Sequence, residues 1–266
     1  MSQKPGGSLP RTELAPFGTS FVHSRAISTL PHPREHPLEP GSNTEDSVRR
    51  WAEETLLNTS RRYIQRNSST DPANAFKSMA EVCMALESII DILWKSGTPS
   101  LQVPFLLRIA SDFISYVPSF PPSPAATFDL LRKLDHCFAS LLCGMDIDSK
   151  EALPGFENGL KAGMTTTDMV RCMGLVERTR VLMVEIMSNT VEEGDDEEED
   201  ESEEDYNLDD ESGADADDKS AANAEKEKLH MDVARIYEFT IVGLGERMGN
   251  QLGGENNLVD TTVGAN

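Results

Sequence analysis

The chain has no run approaching the ~18 consecutive apolar residues that a membrane-spanning helix requires. It opens without a charged stretch followed by an apolar one, so no secretory signal is expected and its N-x-S/T sites are uninformative. Cysteine is scarce. Cys83, Cys137, Cys143 and Cys172 form no C-x-x-C pair, and each falls in or near an apolar helical pattern. That usage fits reduced core thiols in a cytosolic or nuclear protein. Basic residues are outnumbered, 24 Lys and Arg against 46 Asp and Glu, which argues against general affinity for nucleic acid or an anionic membrane. The sequence also lacks a G-x-x-x-x-G-K-[ST] phosphate loop, a G-x-S-x-G elbow and an H-E-x-x-H zinc helix. Gly243-Leu244-Gly245 has no third glycine and no preceding strand, so it is no dinucleotide fingerprint.

What is present in excess is acid. Of the 28 positions from Val191 to Asp218, 18 are Asp or Glu and none is Lys or Arg. This run carries −18 of the formal net charge of −22. Carboxylates at that density repel one another and bury too little apolar surface to order, so 191–221 is expected to be a disordered loop. Residues 1–43, rich in Pro, Ser and His, and residues 250–266 are expected to be disordered tails. The remainder suits one helical domain.

Apolar spacing places the helices. The first is expected from Thr44, with Val48, Trp51, Ala52, Thr55, Thr59 and Tyr63 inward; Arg49-Arg50 and Arg61-Arg62 read as a solvated face before they read as an import signal. Asp71-Pro72 predicts a second start, with Phe76, Met79, Cys83, Leu86, Ile90 and Leu93 on one face and Gly97 as a left-handed stop. A third helix is expected from Pro104 to Pro118, followed by a proline-rich connection that reads as a linker before a polyproline ligand. Ser123-Pro124 opens a fourth with Leu131, Leu134, Phe138, Leu141 and Leu142 inward and His136 outward. Thr167-Asp168 opens a fifth, apolar beyond one stripe and so expected in the middle of the bundle. Residues 222–249 are expected as a last helix with Leu229, Val233, Ile236, Tyr237, Thr240, Leu244 and Met248 on one face, packing back on the core formed by 44–190. The fold class is therefore all-α, a bundle of about six helices.

Candidate chemistry is thin. His32 and His36 are four apart, but flanking prolines oppose the helix that would make them metal ligands. Adjacent His136 and Cys137 diverge by 100° on a helix and do not make a nucleophile and its base. Asp146, Asp148 and Glu151 lack the glycine that a calcium loop needs. Methionines in the fifth helix read as core before they read as an adaptable groove. No catalytic, cofactor-binding or metal residues are therefore expected.

The composition points to a non-catalytic interaction or scaffold protein, nuclear before cytoplasmic and chromatin-associated. Its bundle docks a protein partner. Its acidic loop engages a basic one, histone-like or ribosomal, through Glu197, Glu198, Glu199, Asp200, Glu201, Glu203, Glu204 and Asp205. Ser202, followed by three acids, sits in an acidophilic kinase context. No direct nucleic-acid or membrane contact is expected. Two other readings stand beside this one: a structural subunit of a larger complex with a passive, solubilising loop, and a small-molecule binder or enzyme with a polar pocket near Arg178 or Arg180.

Overall fold

The computed structural model describes residues 30–66, 74–192 and 227–254. Helix α1 (Asn43–Gln65) begins at Ser42, whose hydroxyl accepts from the Glu45 amide at 3.2 Å. The Glu45 carboxylate returns to the Gly41 amide at 2.7 Å, so two donors at the helix start are satisfied reciprocally. Helix α2 (Met79–Lys95) repeats the device: Ser78 caps the Glu81 amide and the Glu81 carboxylate accepts from Lys77. These two S-x-x-E boxes set the starts, displacing the expected Thr44 and Asp71-Pro72; the latter pair lies outside the described residues.

Helix α3 (Pro99–Tyr116) starts at Pro99, five residues before Pro104, which lies within it. Pro104 and Ser100 are both exposed, so the carbonyl that loses its amide partner faces solvent. Helix α4 (Pro124–Cys143) begins and ends where its sequence signals place it, with Gly144 left-handed at φ +74°. Helix α5 (Thr166–Glu192) follows a loop containing one 3-10 turn at Leu160–Ala162 and an isolated bridge between Met145 and Ala152. The last segment is helical over 227–234 (α6) and again as α7 (Glu238–Gly254), not one continuous helix. Tyr237 at φ +58° makes the break.

The architecture is all-α, and no strand occurs among the described residues. Helix α4 is the hub, packed on α2, α3 and α7, while α3 lies between α2 and α5. Its centrality explains why Leu130, Leu131, Leu134, Cys137, Phe138, Leu141 and Leu142 are buried around most of its circumference. Helix α5 is not central: Val170, Val181 and Val184 are 56%, 68% and 52% exposed. Its inner face is the stripe Met169, Cys172, Val176, Thr179 and Met183. On α1 the inner residues are Ala52, Leu56 and Thr59, whereas Trp51 turns outward. The N-terminal tail expected to reach residue 43 is packed from about residue 30: Leu38 is buried and its amide donates to Thr98 Oγ1 at 2.9 Å.

Candidate functional site

Four of the polar residues of α4 turn inward, and they organise the molecule. Asp135 Oδ1 accepts from the Thr240 amide at 2.8 Å and from its hydroxyl at 2.7 Å, and Oδ2 accepts from the Phe239 amide at 3.4 Å. A buried carboxylate thus caps the first turn of α7 from another helix, where the helix dipole favours negative charge. Two arginines complete the attachment. Arg180 of α5 donates to the Ile236 carbonyl at 2.8 Å, and Arg247 of α7 donates to the Leu142 carbonyl at 2.9 Å in the last turn of α4. The break at Tyr237 is what brings α7 into this register, and the Tyr237 ring fills the core beside Phe138. Its buried hydroxyl lies near Thr179 without a well-formed hydrogen bond; the Thr179 hydroxyl donates to the Leu175 carbonyl.

One residue on, His136 is buried, not exposed as the helical wheel suggests. Its Nε2 lies 3.1 Å from Asp146 and its Nδ1 3.2 Å from Asp148, the latter at an angle outside hydrogen-bond range. Trp94 of α2 meets the ring edge-on, with centroids 5.4 Å apart. Burial pushes the Asp146 carboxyl up, but the Ser149 and Asp148 amides and His136 outweigh it and hold it below the usual range. On the next face, Lys133 Nζ bridges Glu87 at 3.1 Å and Asp91 at 2.8 Å on α2. Burial lowers the Lys133 pKa and the two carboxylates more than restore it, leaving it raised. Ser140 closes the row by accepting from the Ile147 amide.

Most of these groups bond to one another across helices; His136 Nδ1 and the Tyr237 hydroxyl are the buried polar atoms left without a hydrogen bond among the described residues. Burial pushes the Cys83 and Cys172 thiols up to about 12 and the Cys137 thiol well above its usual range, so none is a thiolate nucleophile. No set of three or more His, Cys, Asp or Glu among the described residues could hold a metal ion. His32 instead pairs with Glu151 at 3.3 Å. Arg180 is committed to Ile236 and Arg178 is exposed, so they do not line a common polar pocket. Arg62 stacks 3.9 Å over Phe76, which gives that basic pair a packing role. The acidic residues Glu197–Asp205 and Ser202 lie outside the described residues.

Sequence reasoning missed Asp135, Lys133 and the buried His136. A signal was available: polar residues recur at every register of a helix whose remaining positions are apolar all round.

The matched family is described as subunit 11 of the general transcription factor TFIIH, TFB6, and the match covers residues 75–245. That range spans α2 to α6 and the first half of α7, and it includes every residue of the α4 clamps except Arg247. The chain belongs to the TFB6 family. A curated relative, the general transcription and DNA repair factor IIH subunit TFB6 of Saccharomyces cerevisiae, is 23% identical over 65% of this chain. The chain spans 62% of the length of that relative. No solved structure matches. TFB6 is described as a subunit of a general transcription factor, and membership places this protein in the nucleus. Of the three sequence readings, the family supports a subunit of a larger complex.

Proposed function

We propose that the protein is a non-catalytic subunit of a TFIIH-type transcription and repair assembly, docked through its helical bundle. The observation that carries this reading is the family match over 75–245, which covers α2 to α5 and the Asp135–Thr240 contact that docks α7. Helix α5 supports it by presenting Val170, Val181 and Val184 to solvent from a family-matched helix. The acidic residues Glu197, Glu198, Glu199, Asp200, Glu201, Glu203, Glu204 and Asp205 serve as an electrostatic lure for a basic protein segment. Phosphorylation of Ser202 would strengthen that attraction. Apolar docking survives high salt, whereas attraction by carboxylates is screened.

Purification of the tagged protein from its own nuclei, with co-purifying proteins identified, tests the assembly. TFIIH-type subunits are expected to persist through a high-salt wash. Their absence at both low and high salt overturns the reading. Deleting Glu192–Asp218 is expected to abolish salt-sensitive binding to basic proteins and to leave cooperative melting intact. Unchanged binding to basic peptides removes the acidic run's role and leaves the bundle's standing.

A further inference from the structure

The segment 30–38 crosses the ends of α1 and α2 and leaves a cleft of about 410 Å³ beside it. Leu38, Val48 and Ile92 form its apolar floor; His32, Arg34 and Lys95 stand around its rim. Ile92 is 41% exposed, although it sits on α2, a helix packed on α1, α3 and α4. The crossing is fixed by backbone contacts. The Arg34 amide donates to the Lys95 carbonyl at 3.3 Å, and Leu38 is bonded to Thr98. Gly97, at φ +56°, makes the turn beneath: a Cβ there would sit 3.0 Å from Pro154 and 3.4 Å from the Arg34 stem.

The Arg34 backbone is held by its bond to Lys95, and its guanidinium and the Lys95 ammonium are in no ion pair among the described residues. His32 and Glu151 offset each other at one edge. In a chain of net charge −22, two uncommitted cations over an apolar floor are a local reversal of sign. Residues 32–48 of one wall lie before the family-matched range, whereas Ile92 and Lys95 lie within it, so the cleft forms at their junction.

We propose that this cleft is a binding site for a short acidic–apolar peptide segment of a partner protein. A Leu- or Phe-type side chain would seat on Leu38, Val48 and Ile92, and flanking carboxylates would pair with Arg34 and Lys95. The volume sits near the small end of ligand sites, enough for one short stretch and not for a whole helix. The floor supplies affinity, and the cations supply orientation and selection against basic or neutral peptides.

A short fluorescein-labelled peptide with Leu and Phe flanked by Glu and Asp, titrated into the full chain by anisotropy, tests this. Saturable binding is expected. It should weaken on the order of tenfold in the double variant Arg34→Glu/Lys95→Glu and similarly in Ile92→Ser. Both change solvent-facing groups, and unaltered melting would show that the fold is kept. Methyl shifts on peptide addition should centre on Val48 and Ile92. Replacing the peptide's acids with Lys, or its Leu and Phe with Ala, should remove binding. Equal binding by the variants or by the Lys peptide, shifts confined elsewhere, or no saturable binding would overturn the proposal. The rim variants should leave salt-sensitive capture of basic proteins unchanged, which separates this site from the acidic run.

Discussion

Asp135 on α4 and Thr240 on α7 are 105 residues apart in sequence, and the Asp135 carboxylate accepts two hydrogen bonds from Thr240, 2.8 and 2.7 Å, in the buried core. The carboxylate takes the place that a local Ser or Asp takes at most helix starts. Helix α7 has no such residue of its own, because Arg235, Ile236 and Tyr237 precede it. Its first turn is therefore complete only when it is docked.

Replacing Asp135 with Ala should cost about 2–3 kcal/mol, since it strands buried amides that bonded to a charged acceptor. Urea unfolding measures the loss. A double-mutant cycle with Thr240→Val should give a coupling of about 1 kcal/mol or more. Amide exchange in α7 should accelerate before exchange in α2 or α3. Independent, additive effects would show that the cap is incidental.

Tyr237→Phe should leave stability unchanged or raise it by up to about 1 kcal/mol, because a buried hydroxyl without a well-formed partner is removed and the ring is kept. Tyr237→Ala should instead cost about 3–5 kcal/mol through the cavity left in the core. A clear loss in the Phe variant would mean that the hydroxyl is bonded.

Lys133→Met should destabilise by about 1–3 kcal/mol, below the range for fully buried pairs, because Glu87 and Asp91 retain some solvent. The pH dependence has a definite sign. The Lys133 pKa is raised in the folded state, so its contribution is complete below the ordinary lysine value near ~10.4 and is lost as pH rises through the folded value. Stability curves above about pH 10 should fall for the parent and stay flatter for Lys133→Met.

Asp146 supplies the acid-side counterpart. Its pKa is lowered by folding, so its contribution is present above the ordinary value near ~3.9 and disappears as pH falls through the lowered one. Asp146→Asn should cost about 1 kcal/mol near pH 6 and should reduce the decline seen below about pH 4. An identical acid decline in both proteins would assign it to other carboxylates.

Among the cysteines, Cys143 is exposed and the other three are buried with raised pKa values. Iodoacetamide at pH 8 should modify Cys143 first in the native protein. The remaining thiols should react at the rate of unfolding. Early labelling of Cys137 or Cys172 would contradict the packing of α4 and α5.

Periodicity in the chain determined that it is a helical bundle, which face of α2 is buried, and where α4 begins and ends. Those properties are local: a 3.6-residue repeat and a cap or a glycine act within a few residues of themselves. The starts of α1 and α2 were equally local, written in Ser42-x-x-Glu45 and Ser78-x-x-Glu81, although Thr44 and Asp71-Pro72 compete with them for the reading. Only the tertiary structure decided that His136 turns inward, that α5 lies at the edge, and that α7 is severed from α6 at Tyr237. Each depends on a partner far away in sequence: Asp146 and Asp148 for the imidazole, α3 and α7 for the side of α5 that is covered, Asp135 and Arg180 for the break. A polar side chain is buried only if its complement arrives with it, and no repeat in a single helix records that arrival.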